Sequence, residues 1–326
     1  MYSYTSALAP AALAGNDIPH PHVRIHFGMM ARYSSNNNSR RIEMNEGTFE
    51  GVGGLKIATK SWTANGDPRG VMILIHGFNA HSGYMEWPAE QFAANGLATY
   101  ALDLRGRGKS EGERFYVEKF SDYLGDVDKL VAIARSENPG LPIYVLGHSA
   151  GGVIATSYVF EHQSEIAGLV CESFAYDVGL PHLVQLALEG VGAIAPHLHV
   201  FSLNNADFSR DPAAVERMNN DPLIHKESQP AETAAELLKA ADRLTTNFTK
   251  FTVPVLIIHG TSDKATRPAG SEKFFDLAAS TDKTLKLYQD HYHDLLADVG
   301  KEEVMADIQK WIDQRLPAST STASGA

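Results

Sequence analysis

Leu141-Pro142-Ile143-Tyr144-Val145-Leu146-Gly147-His148-Ser149-Ala150-Gly151-Gly152-Val153-Ile154-Ala155-Thr156-Ser157-Tyr158-Val159-Phe160 decides the fold. Its first six residues form a short apolar, β-prone run. The stretch from Gly152 reads as a helix. Between them stands Gly147-His148-Ser149-Ala150-Gly151, a Gly-x-Ser-x-Gly pentapeptide. Strand, sharp turn, helix is the setting of a nucleophile elbow, in which a strained turn lifts a serine hydroxyl clear of a sheet. The glycines are needed because strand and helix approach too closely there for a Cβ. A glycine–serine turn without chemistry would share the five letters, so the flanking elements and the partners of Ser149 must separate the two.

Working outward, the same rhythm repeats. Leu55 to Trp62 reads as a strand. Val71-Met72-Ile73-Leu74-Ile75 is a continuous apolar run, as expected of a central strand buried on both faces. Glu86 to Asn95 reads as a helix ended by Gly96, and Leu97 to Leu102 as the next strand. Ser121 is the expected N-cap of a helix running to about Ser136. Ala167 to Cys171, Val253 to His259 and Thr284 to Tyr288 read as further strands. Ala269 to Ala279 and Glu302 to Leu316 read as further helices. Strands alternating with helices imply an α/β fold, a mostly parallel central sheet with helices on both faces.

Residues 174–250 break the rhythm and are too long for a structureless loop. Leu180, Leu183, Val184, Ala187, Leu188 and Val191 recur at helical spacing, and Ala231 to Leu244 is a second helix. This segment is expected to be an inserted helical cap over the core. Its apolar stripe is expected chiefly to pack, with Leu180, Leu183, Val184 and Leu188 helping to line a substrate pocket. The expected organisation is an extension at 1–45, core at 46–173, cap at 174–250, core at 251–316 and a disordered tail at 317–326.

Composition narrows the function. The net charge is −11 with no basic run to track phosphates, which argues against nucleic acid. Cys171 is the single cysteine, so no intrachain disulfide forms, and its apolar surroundings suggest a buried small hydrophobe. No run approaches the roughly 20 apolar residues that span a bilayer. Met1 to Gly15 lacks the charged and apolar regions of a signal peptide, so the expected location is cytoplasmic. His20, His22 and His26 match no closed metal site.

A serine hydroxyl needs a base, and the base needs an orienting carboxylate. On a sheet of this type the partners follow in the order Ser, acid, His, at the ends of later strands. Asp263 lies just past the run Val255 to Ile258, in His259-Gly260-Thr261-Ser262-Asp263. The last strand leads into Asp290-His291-Tyr292-His293-Asp294. His293 is the expected base, with His291 the alternative; Asp263 is the expected acid, with Glu172 the weaker candidate. The oxyanion hole should take its two N–H donors from Ala150, directly after the serine, and from Phe78, in the loop His76-Gly77-Phe78. His76 precedes the serine in the chain and is expected to brace that loop.

Taken together, these segments resemble the monoacylglycerol lipase and lysophospholipase-like branch of the α/β-hydrolase superfamily. The resemblance covers about residues 47–316. It rests on His76-Gly77-Phe78-Asn79-Ala80-His81-Ser82-Gly83, Asp103-Leu104-Arg105-Gly106-Arg107-Gly108-Lys109-Ser110, Gly147 to Gly152, His259 to Asp263 and His293-Asp294-Leu295-Leu296. It implies Ser149, Asp263 and His293 as the triad and Phe78 and Ala150 as the oxyanion donors. Asp103 and Arg105 would be structural. Relatives often carry Met where this chain has Ala150 and a small residue where it has Phe78.

The implied activity is hydrolysis of carboxylic esters through an acyl-enzyme, on monoacylglycerols or similar lipidic esters, with no cofactor and no metal. A short-chain or aryl esterase and an acyltransferase are the alternatives on the same triad. A proline-releasing peptidase is less well supported, as are an aspartate-nucleophile hydrolase and a non-catalytic binding protein. The expected partner is a small lipidic ester, with transient contact to a membrane or micelle surface compatible with the sequence. Oligomeric state is not legible.

Overall fold

A computed structural model describes residues 42–316. Of the extension expected at 1–45, residues 1–41 lie outside the described residues, as do His20, His22 and His26 and the tail at 317–326.

The elements run in chain order: β1 (Met44–Glu50), β2 (Lys56–Trp62), β3 (Gly70–Ile75), α1 (Glu86–Ala94), β4 (Leu97–Leu102), α2 (Phe120–Glu137), β5 (Ile143–His148), α3 (Ala150–Glu161) and β6 (Gly168–Glu172). After β6 the chain leaves the sheet. It forms α4 (His182–Ile194), β7 (His199–Phe201), α5 (Pro212–Asn220), β8 (Gln229–Pro230) and α6 (Ala231–Asn247). It then returns through β9 (Val255–Gly260), α7 (Pro268–Leu277), β10 (Lys283–Tyr288) and α8 (Lys301–Asp313).

Eight strands form one sheet in the order β1-β2-β4-β3-β5-β6-β9-β10. Only β2 runs against the rest, antiparallel to both β1 and β4. The two-residue period of β3 shows how both faces are filled. Val71, Ile73 and Ile75 pack with Val127 and Leu130 of α2, Val153 of α3 and Phe274 of α7. Met72 and Leu74 pack on the other face with Phe92 of α1 and Ile308 and Trp311 of α8. All six residues of β3 are buried, which is why its sequence is apolar without alternation.

The local reading is corrected at three places. Ser121 does not cap α2. The helix begins at Phe120, whose N–H donates to Glu236 Oε2 at 2.8 Å, so a carboxylate from α6 satisfies the helix end. β1 was missed because it is an edge strand in which only Phe49 is buried, so it carries no apolar signature. It also starts at Met44, inside the expected extension. α5 was missed too, although Asp211, which accepts the Ala213 N–H, and Pro212 together mark a helix start.

Among the described residues, no helix is long and apolar enough to cross a membrane.

Candidate active site

Ser149 sits at the junction of β5 and α3 with φ 57° and ψ −120°. This is a costly conformation for a residue with a Cβ, of order 1–3 kcal/mol, and it persists only because its surroundings impose it. The Ser149 N–H donates to Glu172 O at 2.9 Å, and its carbonyl accepts the Gly152 N–H at 2.9 Å. The glycines answer to close approach. A Cβ on Gly147 would lie 2.4 Å from Gly151 O, and one on Gly151 would lie 2.3 Å from Ile75 O. Gly151→Ala is therefore expected to destabilise the fold by roughly 1–3 kcal/mol or more. A lowered midpoint of urea unfolding is the readout; an unchanged midpoint would contradict this packing.

Past the end of β9, the Asp263 side chain is buried and its carboxylate is held by many donors. Its Oδ1 accepts the N–H groups of Ala265 at 2.8 Å and Thr266 at 2.9 Å. Its Oδ2 accepts the Thr266 hydroxyl at 2.8 Å, His293 Nδ1–H at 2.7 Å and His259 Nε2–H at 3.0 Å. Burial alone would raise this carboxyl. The charge of His293 and the hydrogen bonds of His259 and His293 overcome it and hold Asp263 well below the usual carboxylate range. In the neutral imidazole, the Nδ1 proton donated to the carboxylate leaves the lone pair on Nε2. That nitrogen is buried and makes no hydrogen bond.

The alternatives for base and acid lie elsewhere. His291 Nδ1 is 3.7 Å from Asp298 Oδ2, on a carboxylate that also accepts Arg210 Nε–H at 2.8 Å. Glu172 Oε1 accepts the Leu296 N–H at 3.1 Å, in the loop after His293. Burial, then the nearby Asp294 charge, pushes the Glu172 carboxyl well above its ordinary range.

Phe78, Ser149 and Ala150 share the wall of one cavity of about 530 Å³. Ala150 is the first residue of α3, so its N–H has no acceptor within the helix. His76 braces the loop that carries Phe78. Its Nε2 accepts the Leu104 N–H at 2.9 Å, so its Nδ1–H donates to Gly77 O at 2.7 Å. Leu180, Val184 and Leu188 line the cavity, joined by Val178, Phe201, Leu203, Phe208, Leu237 and Leu238.

Leu183 is a correction. It is 81% exposed and does not line the cavity. Val184 and Leu188, four apart, share one helix face, and Leu183 is turned about 100° away from Val184. The stripe as a whole is also less packed than expected, since Leu180 and Val184 are exposed as well.

Three contributors to the site escaped the sequence reading. His259, at the end of the β9 run, shares that carboxylate. Its spacing four residues before the acid, at a strand end, was the available signal. Arg107 and Glu227 form a buried pair beside Phe78. They are 120 residues apart, and nothing local joins them. Asp103 and Arg105 are structural as expected: Asp103 accepts the N–H groups of Ser82 and Lys109, both at 2.7 Å, and Arg105 pairs with Asp126 at 2.8 Å.

Known proteins share this architecture. The family model described as serine aminopeptidase, S33, matches residues 66–300. A monoacylglycerol lipase from Mycolicibacterium smegmatis is 36% identical over 274 residues, 83% of this chain and 98% of that protein. The monoglyceride lipase of Homo sapiens is 32% identical over 276 residues, 83% of this chain and 91% of that protein. The crystal structure of a monoacylglycerol lipase from Paleococcus ferrophilus superposes with a TM-score of 0.71 at 28% identity, covering 80% of this chain and 99% of that one. The chain belongs to the serine aminopeptidase S33 family of α/β-hydrolases, on its monoacylglycerol lipase-like branch.

Proposed function

We propose that this protein hydrolyses monoacylglycerols and similar lipidic esters through an acyl-enzyme on Ser149. The observation that carries the reading is the cavity: Ser149 stands in the wall of an apolar space of about 530 Å³, within the usual 300–1,000 Å³ of small-molecule sites. An aminopeptidase needs carboxylates to hold a substrate amino terminus. Among the described residues lining this cavity the only carboxylate is Asp207, 4.0 Å from Lys264 Nζ. The lining suits an acyl chain instead.

In the proposed mechanism, Ser149 Oγ attacks the ester carbonyl as His293 Nε2 takes its proton. Asp263 keeps the imidazole in the tautomer with Nδ1 protonated and stabilises the imidazolium. The N–H groups of Phe78 and Ala150 receive the oxyanion. His293 returns the proton to the departing glycerol, and water then releases the fatty acid by the same steps. Residues 174–250 serve as the cap that encloses the acyl chain. The exposed apolar side chains on and after α4, with Leu183 81%, Ile194 87% and Leu198 55% exposed, support transient contact with a lipid surface.

Rates for p-nitrophenyl esters from acetate to palmitate, beside 1-monooleoylglycerol, test the reading. Preference for medium or long chains with glycerol release is expected. Activity confined to acetate and butyrate would replace it with a short-chain esterase.

A further inference from the structure

We propose that Glu227, on the segment between β6 and β9, is a positioning residue that sets the oxyanion loop by accepting the Asn79 N–H. The proposal rests on Phe78 being an oxyanion donor, as argued above.

Asn79 directly follows Phe78: the Gly77–Phe78 peptide carries the donor N–H, and the next peptide, across the Phe78 Cα, carries the Asn79 N–H. That N–H donates to Glu227 Oε1 at 2.9 Å. Asn79 has φ 51°, a left-handed conformation that a residue with a Cβ adopts only when held there. Its side chain is tied to the same segment, with Nδ2 donating to Leu203 O at 3.2 Å and Asn205 Oδ1 at 2.9 Å.

The Glu227 side chain is fully buried, and its Oε1 also accepts from Arg107 Nη1 and from Gln229 Nε2 at 2.8 Å. Arg107 donates in turn to Gln229 Oε1 at 2.7 Å, and its guanidinium lies 4.1 Å from the centre of the Phe78 ring. One carboxylate oxygen thus joins the loop after β3, the loop after β4 and the segment that closes the cavity. The large Phe78 side chain has its place against that guanidinium.

A donor moved by about 1 Å from the developing oxyanion costs on the order of 100-fold in rate. The oxyanion contact strengthens in the transition state, so the loss falls on kcat and not on KM.

The test is kcat and KM for p-nitrophenyl butyrate with full-length Glu227→Ala, Glu227→Asp and Glu227→Gln, each shown to be folded by its thermal midpoint. Asp keeps the charge facing Arg107 but is one methylene too short to reach Asn79. Gln keeps the reach and an acceptor oxygen. Ala and Asp are expected to lower kcat by about 30- to 100-fold with KM within about threefold, and Gln to stay within about fivefold of the parent. Where Ala fails to fold, the contrast between Asp and Gln decides. A Glu227→Asp kcat within about threefold of the parent would overturn the proposal, and so would a loss confined to KM or a Gln variant as impaired as Asp. Ser149→Ala is assayed alongside. Activity there would bring down the reading of the site itself, whereas an inactive Ser149→Ala beside a fully active Glu227→Asp removes only the role of Glu227.

Discussion

Asp263→Asn is expected to lower kcat by about 10³- to 10⁴-fold while the protein stays folded. Asparagine fits the same space, and its oxygen can keep the N–H groups of Ala265 and Thr266, the bonds that shape the turn. The amide nitrogen then faces His293 Nδ1, where the carboxylate accepted at 2.7 Å. A donor at that place favours the imidazole tautomer that carries its proton on Nε2, and that tautomer cannot take the proton of Ser149. The substitution also removes the negative charge that stabilises the imidazolium. Circular dichroism and a thermal midpoint near the parent value, with steady-state rates on p-nitrophenyl butyrate, check this. A variant with more than about a tenth of the parent kcat would remove Asp263 from the proposed triad.

The second large effect is acid destabilisation, sharpened by Glu172→Gln. Burial pushes the His148 imidazole down to about 4, the nearby Asp294 only partly opposing it. Burial likewise pushes His76 down to about 3, against the charge of Asp103. Both histidines stay neutral in the fold but charge near 6.5 when unfolded. Between those values the unfolded chain binds more protons, so stability falls as pH falls from 6.5. Together the two are expected to cost about 5 kcal/mol between pH 6.5 and 4.5.

Geometry agrees with the direction. His76 Nε2 accepts the Leu104 N–H, so a proton there would set donor against donor. Glu172 has the opposite sign. Its raised folded-state pKa makes its cost greatest at neutral pH and relieves that cost as pH falls toward 4.5, masking part of the histidine effect. Glu172→Gln keeps an oxygen for the Leu296 N–H and removes the titration. Urea-unfolding free energies at pH 6.5, 5.5 and 4.5 should therefore fall more steeply in the variant than in the parent. A flat profile in Glu172→Gln would contradict the buried neutral histidines.

What the sequence revealed and what it hid follow from range. The Gly-x-Ser-x-Gly turn, the apolar run of β3 and the order Ser149, Asp263, His293 are local patterns, and each strand end could be placed within a few residues. Of the two histidines in that stretch, His293 lies 2.7 Å from Asp263, whereas His291 stands beside Asp298. β1 stayed hidden because an edge strand with one buried side chain has no period to detect. The outward turn of Leu183 was hidden because spacing fixes a helix but not which face meets the cavity. Glu227 and Arg107 were hidden because their union depends on how residues 174–250 fold over the sheet, a tertiary fact with no local signature. His259 was the exception, a partner of Asp263 four residues away that the motif displayed and that was read as strand alone.

The most direct test of the central claim is to trap the covalent intermediate. The full-length protein is treated with a fluorophosphonate and the labelled peptide located by mass spectrometry. One adduct per chain is predicted, on Ser149, absent from a folded Ser149→Ala variant that also hydrolyses no 1-monooleoylglycerol. An adduct on another residue, or ester hydrolysis that survives Ser149→Ala, would contradict the account.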